Sequence, residues 1–531
     1  MNRCRKKEMK IRKYRKNHIK KGRSGTETVP GMKGIATVLI LCILLALTGC
    51  GNDQIHKTNE KISSENKQYM DSLINESKEM EKVNVKKKPR KIIYATRYEM
   101  DVELDTVNKV IAGRSVIYFR NDSDDAVDSV VLRNYSAVGD DSVIDVALPE
   151  TLEPGGKTKV TYDFEYDIPE RRNRYGYVEY EDRTLFQLSS CFPAAAIYED
   201  GDWNRNPCIS DGAEANYTTV SDYDVRISVP KEYTVIATGS EKRVDDSHYE
   251  VKGKNLREFA MVAGDHLKKK TTEACGIELN NYYYDDSGSQ KYVDYSLQVM
   301  KASVELYSEL IGEYPFEQLD LTNVFIDSAM EYSGMIMLGF PDVEDIRYID
   351  ESTRYEHIKA HVSHETGHQW FYGVVGNDPY NEPWLDESFA EFLECFVFPV
   401  SGADVLTDIE DELSGEQGEY YEPGLQTVSD FFDEKDQILD QRDNKKKIDL
   451  SYDRYDKSND EYSQYVYDSG AFFLYELEKT MGDAEFFSML QGYYDTYRFS
   501  EVKTSDFVSF VKAYDDSESV DKVISKYITD M

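Results

Sequence analysis

The chain has 531 residues, 40% hydrophobic and 12% aromatic, which fits a folded protein of two or more domains and excludes a disordered one. Its 100 acidic and 63 basic side chains give a formal charge of −37, which excludes non-specific binding to nucleic acid. An acidic surface alone selects no substrate.

Residues 1–49 read as a basic extension followed by a signal peptide. In "KGIATVLILCILLALTGC", Lys33 precedes an apolar run from Ile35 to Leu47, short for a membrane-spanning helix and closed by small residues. The ending "LTGC" resembles the bacterial lipoprotein signal. That resemblance implies lipidation of Cys50 as the mature N-terminus, and a protein of the bacterial cell envelope anchored to the outer face of the cytoplasmic membrane. An uncleaved membrane anchor is the alternative. Met1 to Pro30 is a long basic stretch, and Met32-Lys33 offers a second possible start. Segment 1–49 holds 13 Lys/Arg and 2 Asp/Glu, so the rest of the chain is more acidic still. After Cys50 only Cys191, Cys208, Cys275 and Cys395 remain, too few for a disulfide scaffold and without a metal-binding CxxC. Cys191 and Cys208 are near enough in sequence to pair, and free thiols fit equally.

Residues 50–91 are polar with few aliphatics and read as a tether, with an amphipathic helix as the alternative. From 92 to 284 the alternation in "YEMDVELD", "RSVIYFRN", "KVTYDFEYDI" and "YDVRISVP", punctuated by "EPGG" and "RNDSDD", predicts a β-rich, mostly antiparallel domain. From 285 to 531 helical spacing dominates, starting with "YSLQVMKASVELYSELIG". "LDLTNVFI" reads as a strand, and helices are expected at about 353–372 and 384–397. Residues 401–460 are acidic and read as a surface excursion.

Three of the chain's eight histidines crowd into "HVSHETGHQWFYG". "HETGH" fits H-E-x-x-H, with His364 and His368 at i and i+4 on one helical face, where both imidazoles reach a single zinc ion. Glu365 lies about 100° around the helix, poorly placed to ligate but well placed to touch a water at the metal. With 18 residues between it and His368, Glu387 of "WLDESFAEF" supplies the third ligand. Two histidines and one carboxylate leave a fourth position open, a catalytic rather than structural ligand set. Gly367 inside the helix costs about 1 kcal/mol relative to Ala. His357 and His361 extend the stripe but sit one or two turns from the pair, so they are read as neighbours or surface residues and not ligands.

"HETGHQWF" followed by "EPWLDESFAEF" resembles the gluzincin aminopeptidases, the family of aminopeptidase N, and "NLREFAMVAGD" in the β-rich half extends the similarity. The resemblance implies an α+β multidomain fold, with an N-terminal antiparallel, saddle-like β domain and a mainly helical thermolysin-like catalytic domain. It implies one Zn2+ held by His364, His368 and Glu387, with Glu365 as general base. "SAMEYSGMIML" aligns with the family's G-x-M-E-N, so Glu331 would pair with the α-ammonium of a peptide; Ser328 and Tyr332 depart from the common Gly and Asn. "YVYDSGAFFLYEL" is similar to the family's Y-E-K-G-A segment, which would make Tyr467 the donor to the developing oxyanion. Glu391 and Glu394 would orient a zinc histidine or carry surface charge. The implied activity is release of N-terminal amino acids from peptide substrates. The chain ends without the large helical C-terminal domain of longer members, which implies a less enclosed cleft. A zinc endopeptidase on an open cleft and a non-catalytic peptide-binding surface lipoprotein are the rival readings.

Overall fold

Period-two alternation builds the first half of the molecule, as the computed structural model shows in its longest hairpin. Ile93–Asp105 buries alternate residues and pairs with Val110–Asn121 from Ile93↔Asn121 to Asp105↔Val110. On its other edge it runs parallel to Ser221–Ser228, which in turn pairs antiparallel with His248–Leu256. Two smaller sheets pack on this one, and their shared core includes Ile111, Ile117, Phe119, Val131, Phe186 and Ile227. The structure describes residues 66–134, 142–189, 191–206, 216–285, 289–326, 328–339, 351–397, 432, 446–456 and 460–529. Residues 1–49, Cys50 and Cys208 lie outside them. Among the described residues no helix is long and apolar enough to cross a membrane.

A five-stranded sheet carries the transition to the second half, in the order Lys268–Ala274, Ile277–Tyr283, Gln318–Val324, Met335–Gly339, Ala329–Tyr332. Ile277–Tyr283 and Gln318–Val324 are parallel, joined through the helix Ser289–Leu310, as a parallel pair requires a crossover. The expected boundary at 284/285 therefore needs correction. The two strands before it hydrogen-bond into the sheet of the following half, because alternation reveals a strand but not which sheet it joins. Four helices close the molecule: Gly470–Met481, Asp483–Tyr497, Thr504–Tyr514 and Glu518–Tyr527. Their aromatic core centres on Trp384, Phe389, Phe473, Tyr493 and Phe507.

Two further expectations are corrected. Residues 66–79 are helical, as the alternative reading of 50–91 had it, and the tether reading fails for that stretch. Met70 and Leu73 are 2% and 4% exposed within the core of the helical half. Tyr69 donates to Asp483 at 2.8 Å, and Gln491 donates to Ser77 at 3.1 Å. Few aliphatics are present, but they fall on one helical face, which is enough to dock it. Within the acidic excursion, residues 446–456 are packed rather than solvated: Ile448, Tyr452 and Tyr455 are buried, and Ile448 N–H donates to the Tyr527 carbonyl at 3.0 Å.

Candidate active site

The helix Glu351–Gly367 carries the first part of the site. It ends at Gly367, earlier than the sequence reading, and the chain tightens so that Gln369 and Trp370 N–H donate to the Thr366 and Gly367 carbonyls. A Cβ on Gly367 would lie 3.2 Å from the Ala390 backbone. The residue that weakens the isolated helix therefore lets the second helix, 384–397, cross closely over it. That crossing brings Glu387 to the histidines.

The three side chains meet by their tips. His364 Nε2 lies 3.1 Å from Glu387 Oε2, His368 Nε2 lies 3.1 Å from His364 Nε2, and His368 Nε2 lies 3.3 Å from Glu387 Oε2. Donors about 2.0–2.1 Å from a tetrahedral zinc stand about 3.3 Å apart, so this triangle has the size of one face of such a centre. The other imidazole nitrogens are engaged elsewhere. His368 Nδ1 contacts the Phe371 carbonyl at 3.1 Å, and His364 Nδ1 lies 3.4 Å from Glu394 and 3.6 Å from Glu391. Those contacts fix Nδ1 as the protonated nitrogen and turn both Nε2 lone pairs inward. Among the described residues the buried Oε2 of Glu365 has no hydrogen-bond partner. The donor set thus fits Zn2+, with Glu365 beside it.

Burial and charge act together here. Burial alone would lower His364, but Glu387, Glu391 and Glu394 outweigh it and hold the imidazole well above its usual range. Burial would raise Glu387, yet His364 and His368 hold it well below the usual carboxylate range. Glu365 is pushed well up by burial and by Glu331, with Glu387 adding and His364 opposing. The cluster is arranged around positive charge.

Glu331 sits on the edge strand Ala329–Tyr332, 5% exposed, and its carboxylate groups with donor atoms of Glu365 and His368 that all lie within 4.8 Å of one another. Tyr467 lies in a π-helical stretch, Ser463–Ser469, stacks on the His364 ring at 5.7 Å and donates its phenol to Glu387 Oε1. The following Gly470 is required by close approach: a Cβ there would fall 1.8 Å from Ser388 Oγ, beside Glu387. These side chains line one cavity of about 290 Å3, together with His361, Glu391 and Glu394. His361 is pressed down to about 4 by burial and by His357, and the two rings lie tilted with centroids 3.9 Å apart, outside the metal triangle. Sequence reasoning missed Asp386, which is 1% exposed and accepts the Glu387 N–H at 2.8 Å. Its only signal was an acid adjacent to the expected ligand. Cys191 is a buried free thiol.

An H-E-x-x-H helix, a third carboxylate from the next helix, and an open sheet edge beside them define a gluzincin metallopeptidase. Residues 295–527 match the Peptidase family M1 domain, and in sequence the chain is similar to aminopeptidase N-like gluzincins. It is 25% identical over 295 residues to "Aminopeptidase N" of Plutella xylostella, covering 52% of this chain and 30% of that protein. It is 21% identical over 485 residues to "Aminopeptidase 2" of Candida albicans, covering 88% of this chain and 48% of that protein. The chain thus spans about half or less of the length of these curated relatives. In fold it is similar to a two-domain M1 zinc metallopeptidase mutant bound to L-tryptophan, with a TM-score of 0.57 at 16% identity, covering 83% of this chain and 95% of that one. An M1 zinc metallopeptidase mutant from Deinococcus radiodurans gives a TM-score of 0.55 with the same coverage.

Proposed function

We propose that the chain is a zinc-dependent aminopeptidase that removes the first residue of peptides. The observation that carries this reading is Glu331. Its buried carboxylate faces the cavity within the 4.8 Å cluster of Glu365 and His368, and neither Lys nor Arg is among the described residues lining that cavity. A buried carboxylate with this placement is suited to a substrate α-ammonium, which would leave one residue between the amine and the bond cleaved. His364, His368 and Glu387 would hold the zinc, which when bound supplies Lewis acidity to a carbonyl oxygen and to water. Glu365 takes a proton from the attacking water and returns it to the departing amine. The Tyr467 phenol donates a hydrogen bond to the developing oxyanion.

A fluorogenic amino-acid amide and its N-acetyl form test this directly. The free amine should be cleaved at least about 100-fold faster, as expected when a charge-assisted contact positions the reacting bond. Glu331→Gln should remove most of that difference. Equal cleavage of both forms by the wild type would give the site to an endopeptidase instead. We further propose that the enzyme acts on peptides outside the cytoplasm, held to the membrane through lipid on Cys50. Cys50→Ser should release it from the membrane fraction, and unchanged membrane association would refute the anchor.

A further inference from the structure

The β-rich half sends one buried dipeptide, Arg257-Glu258, into the junction behind the site. Both side chains are nearly inaccessible, at 1% and 7% exposed. The two oxygens of Glu258 hold two different pieces of the catalytic half. Oε2 accepts the Tyr372 phenol at 2.6 Å, and Oε1 accepts the Ser333 N–H at 3.0 Å. Ser333 follows Glu331 by two residues, in the turn that ends the strand Ala329–Tyr332, and Tyr372 follows His368 by four in the turn that ends the metal helix. Arg257 reinforces both ends: its N–H donates to Ser333 Oγ at 3.0 Å, and its Nε donates to the Tyr372 carbonyl at 2.6 Å.

Tyr372 is held at a cost. Its φ is +112°, whereas the other eight positive-φ non-glycine residues among those described lie between 50° and 59°. A bulky side chain at +112° is strained, and such strain persists only where the surroundings over-determine it. The peptide just before it is the functional one: the Phe371 carbonyl faces His368 Nδ1 at 3.1 Å, while the Tyr372 N–H donates to the Val375 carbonyl at 2.9 Å.

We propose that Glu258 is a positioning residue, whose carboxylate clamps the Glu331 strand to the His368 turn and sets the spacing between the amine-binding carboxylate and the metal site. The proposal rests on the aminopeptidase reading above. It adds that this one-residue ruler is set from the β-rich half, by a group that touches neither substrate nor metal. A displacement of about 1 Å between two groups that act on one substrate costs up to about 100-fold in rate.

A double-mutant cycle on the full chain tests it, with kcat/KM on the free amino-acid amide measured for wild type, Glu258→Gln, Glu331→Gln and the double variant. Glu258→Gln should lose about tenfold with Glu331 present and less than about twofold with Glu331 absent, because its effect passes through that carboxylate. Equal losses in both backgrounds, or no loss, would overturn the proposal. Failure of the aminopeptidase reading shows separately, as a Glu331→Gln variant as active as wild type, and it removes the ruler with it. Tyr372→Phe repeats the cycle if Glu258→Gln does not fold. The same Tyr372→Phe variant separates positioning from stability: it keeps the buried ring and removes only the hydroxyl given to Glu258, so zinc should be retained against a chelator with the same activity loss. A Tyr372→Phe variant with full activity would overturn the clamp.

Discussion

Two clusters of buried carboxylates in this molecule have opposite characters. At the metal site Glu387 meets two imidazoles and is held well below the usual carboxylate range despite its burial. Across the sheet, Glu241 and Asp320 accept hydrogen bonds from neutral donors, Gln318 Nε2 at 3.1 and 2.7 Å, Tyr282 at 3.2 Å and Asn280 at 2.7 Å, and Lys269 acts on Asp320 only through space. Burial and the neighbouring Asp320 push Glu241 to about 8, and burial pushes Asp320 to about 6. A buried acid hydrogen-bonded only to neutral groups holds its proton more tightly; one in contact with cationic groups gives it up. Burial therefore does not mark the catalytic site, and the chemistry of the partners does.

Glu365 is the residue on which this comparison can break. It is raised by burial like Glu241, but one of its carboxylate oxygens lies in the cluster with Glu331 and His368. If it were only another protonated interior acid, Glu365→Gln would leave activity intact. The expected outcome is a loss of about 100- to 10,000-fold in kcat with zinc content unchanged by elemental analysis, the range for removing a general base. Tyr467→Phe should cost about 100-fold, concentrated in kcat rather than KM, if the phenol serves the oxyanion. A change confined to KM would leave Tyr467 as a prop for Glu387.

The donors of the metal triangle were legible because each is tied to a short local pattern. His364 and His368 share a helical face, and Glu387 falls at a family spacing within "WLDESFAEF". Gly470 was legible as a motif letter, but its reason, the 1.8 Å approach to Ser388, is a tertiary fact. The Glu258–Tyr372 contact joins residues 114 apart in sequence, and no periodicity carries such information. The same holds for helix 66–79, where Met70 and Leu73 are too few to announce a docked face until the surface they cover is known. Local rules read elements; which elements touch is decided by packing.

Glu394 sharpens the comparison from the metal side. It stands 3.4 Å from His364 Nδ1 and helps hold that imidazole above its usual range, after burial and the contacts to Glu387 and Glu391. Glu394→Gln keeps the shape and removes the charge. Zinc affinity, measured by competition with a chelator, should weaken about tenfold, the lower end for loss of a carboxylate behind a metal-bound histidine. Unchanged affinity would show that Glu391 alone, at 3.6 Å, suffices.

The smallest effect is expected at the Glu241–Asp320 cluster, and its sign is opposite. Glu241 in the folded chain titrates near 8, against an ordinary value of 4.5. A raised folded-state value means that the folded chain binds the proton more tightly than the unfolded one. The stability this contributes is complete below about pH 4.5 and is lost as pH rises through about 8, and because Glu241 and Asp320 interact, the loss belongs to the pair. Glu241→Gln keeps an oxygen for Tyr282 but carries no charge to desolvate. Its melting temperature should exceed that of wild type by a few degrees at pH 8, with the gap closing toward pH 5. A variant destabilised equally at both pH values would mean that Glu241 is held by its hydrogen bonds and not by its proton, and the contrast between the two clusters would then rest on the imidazoles alone.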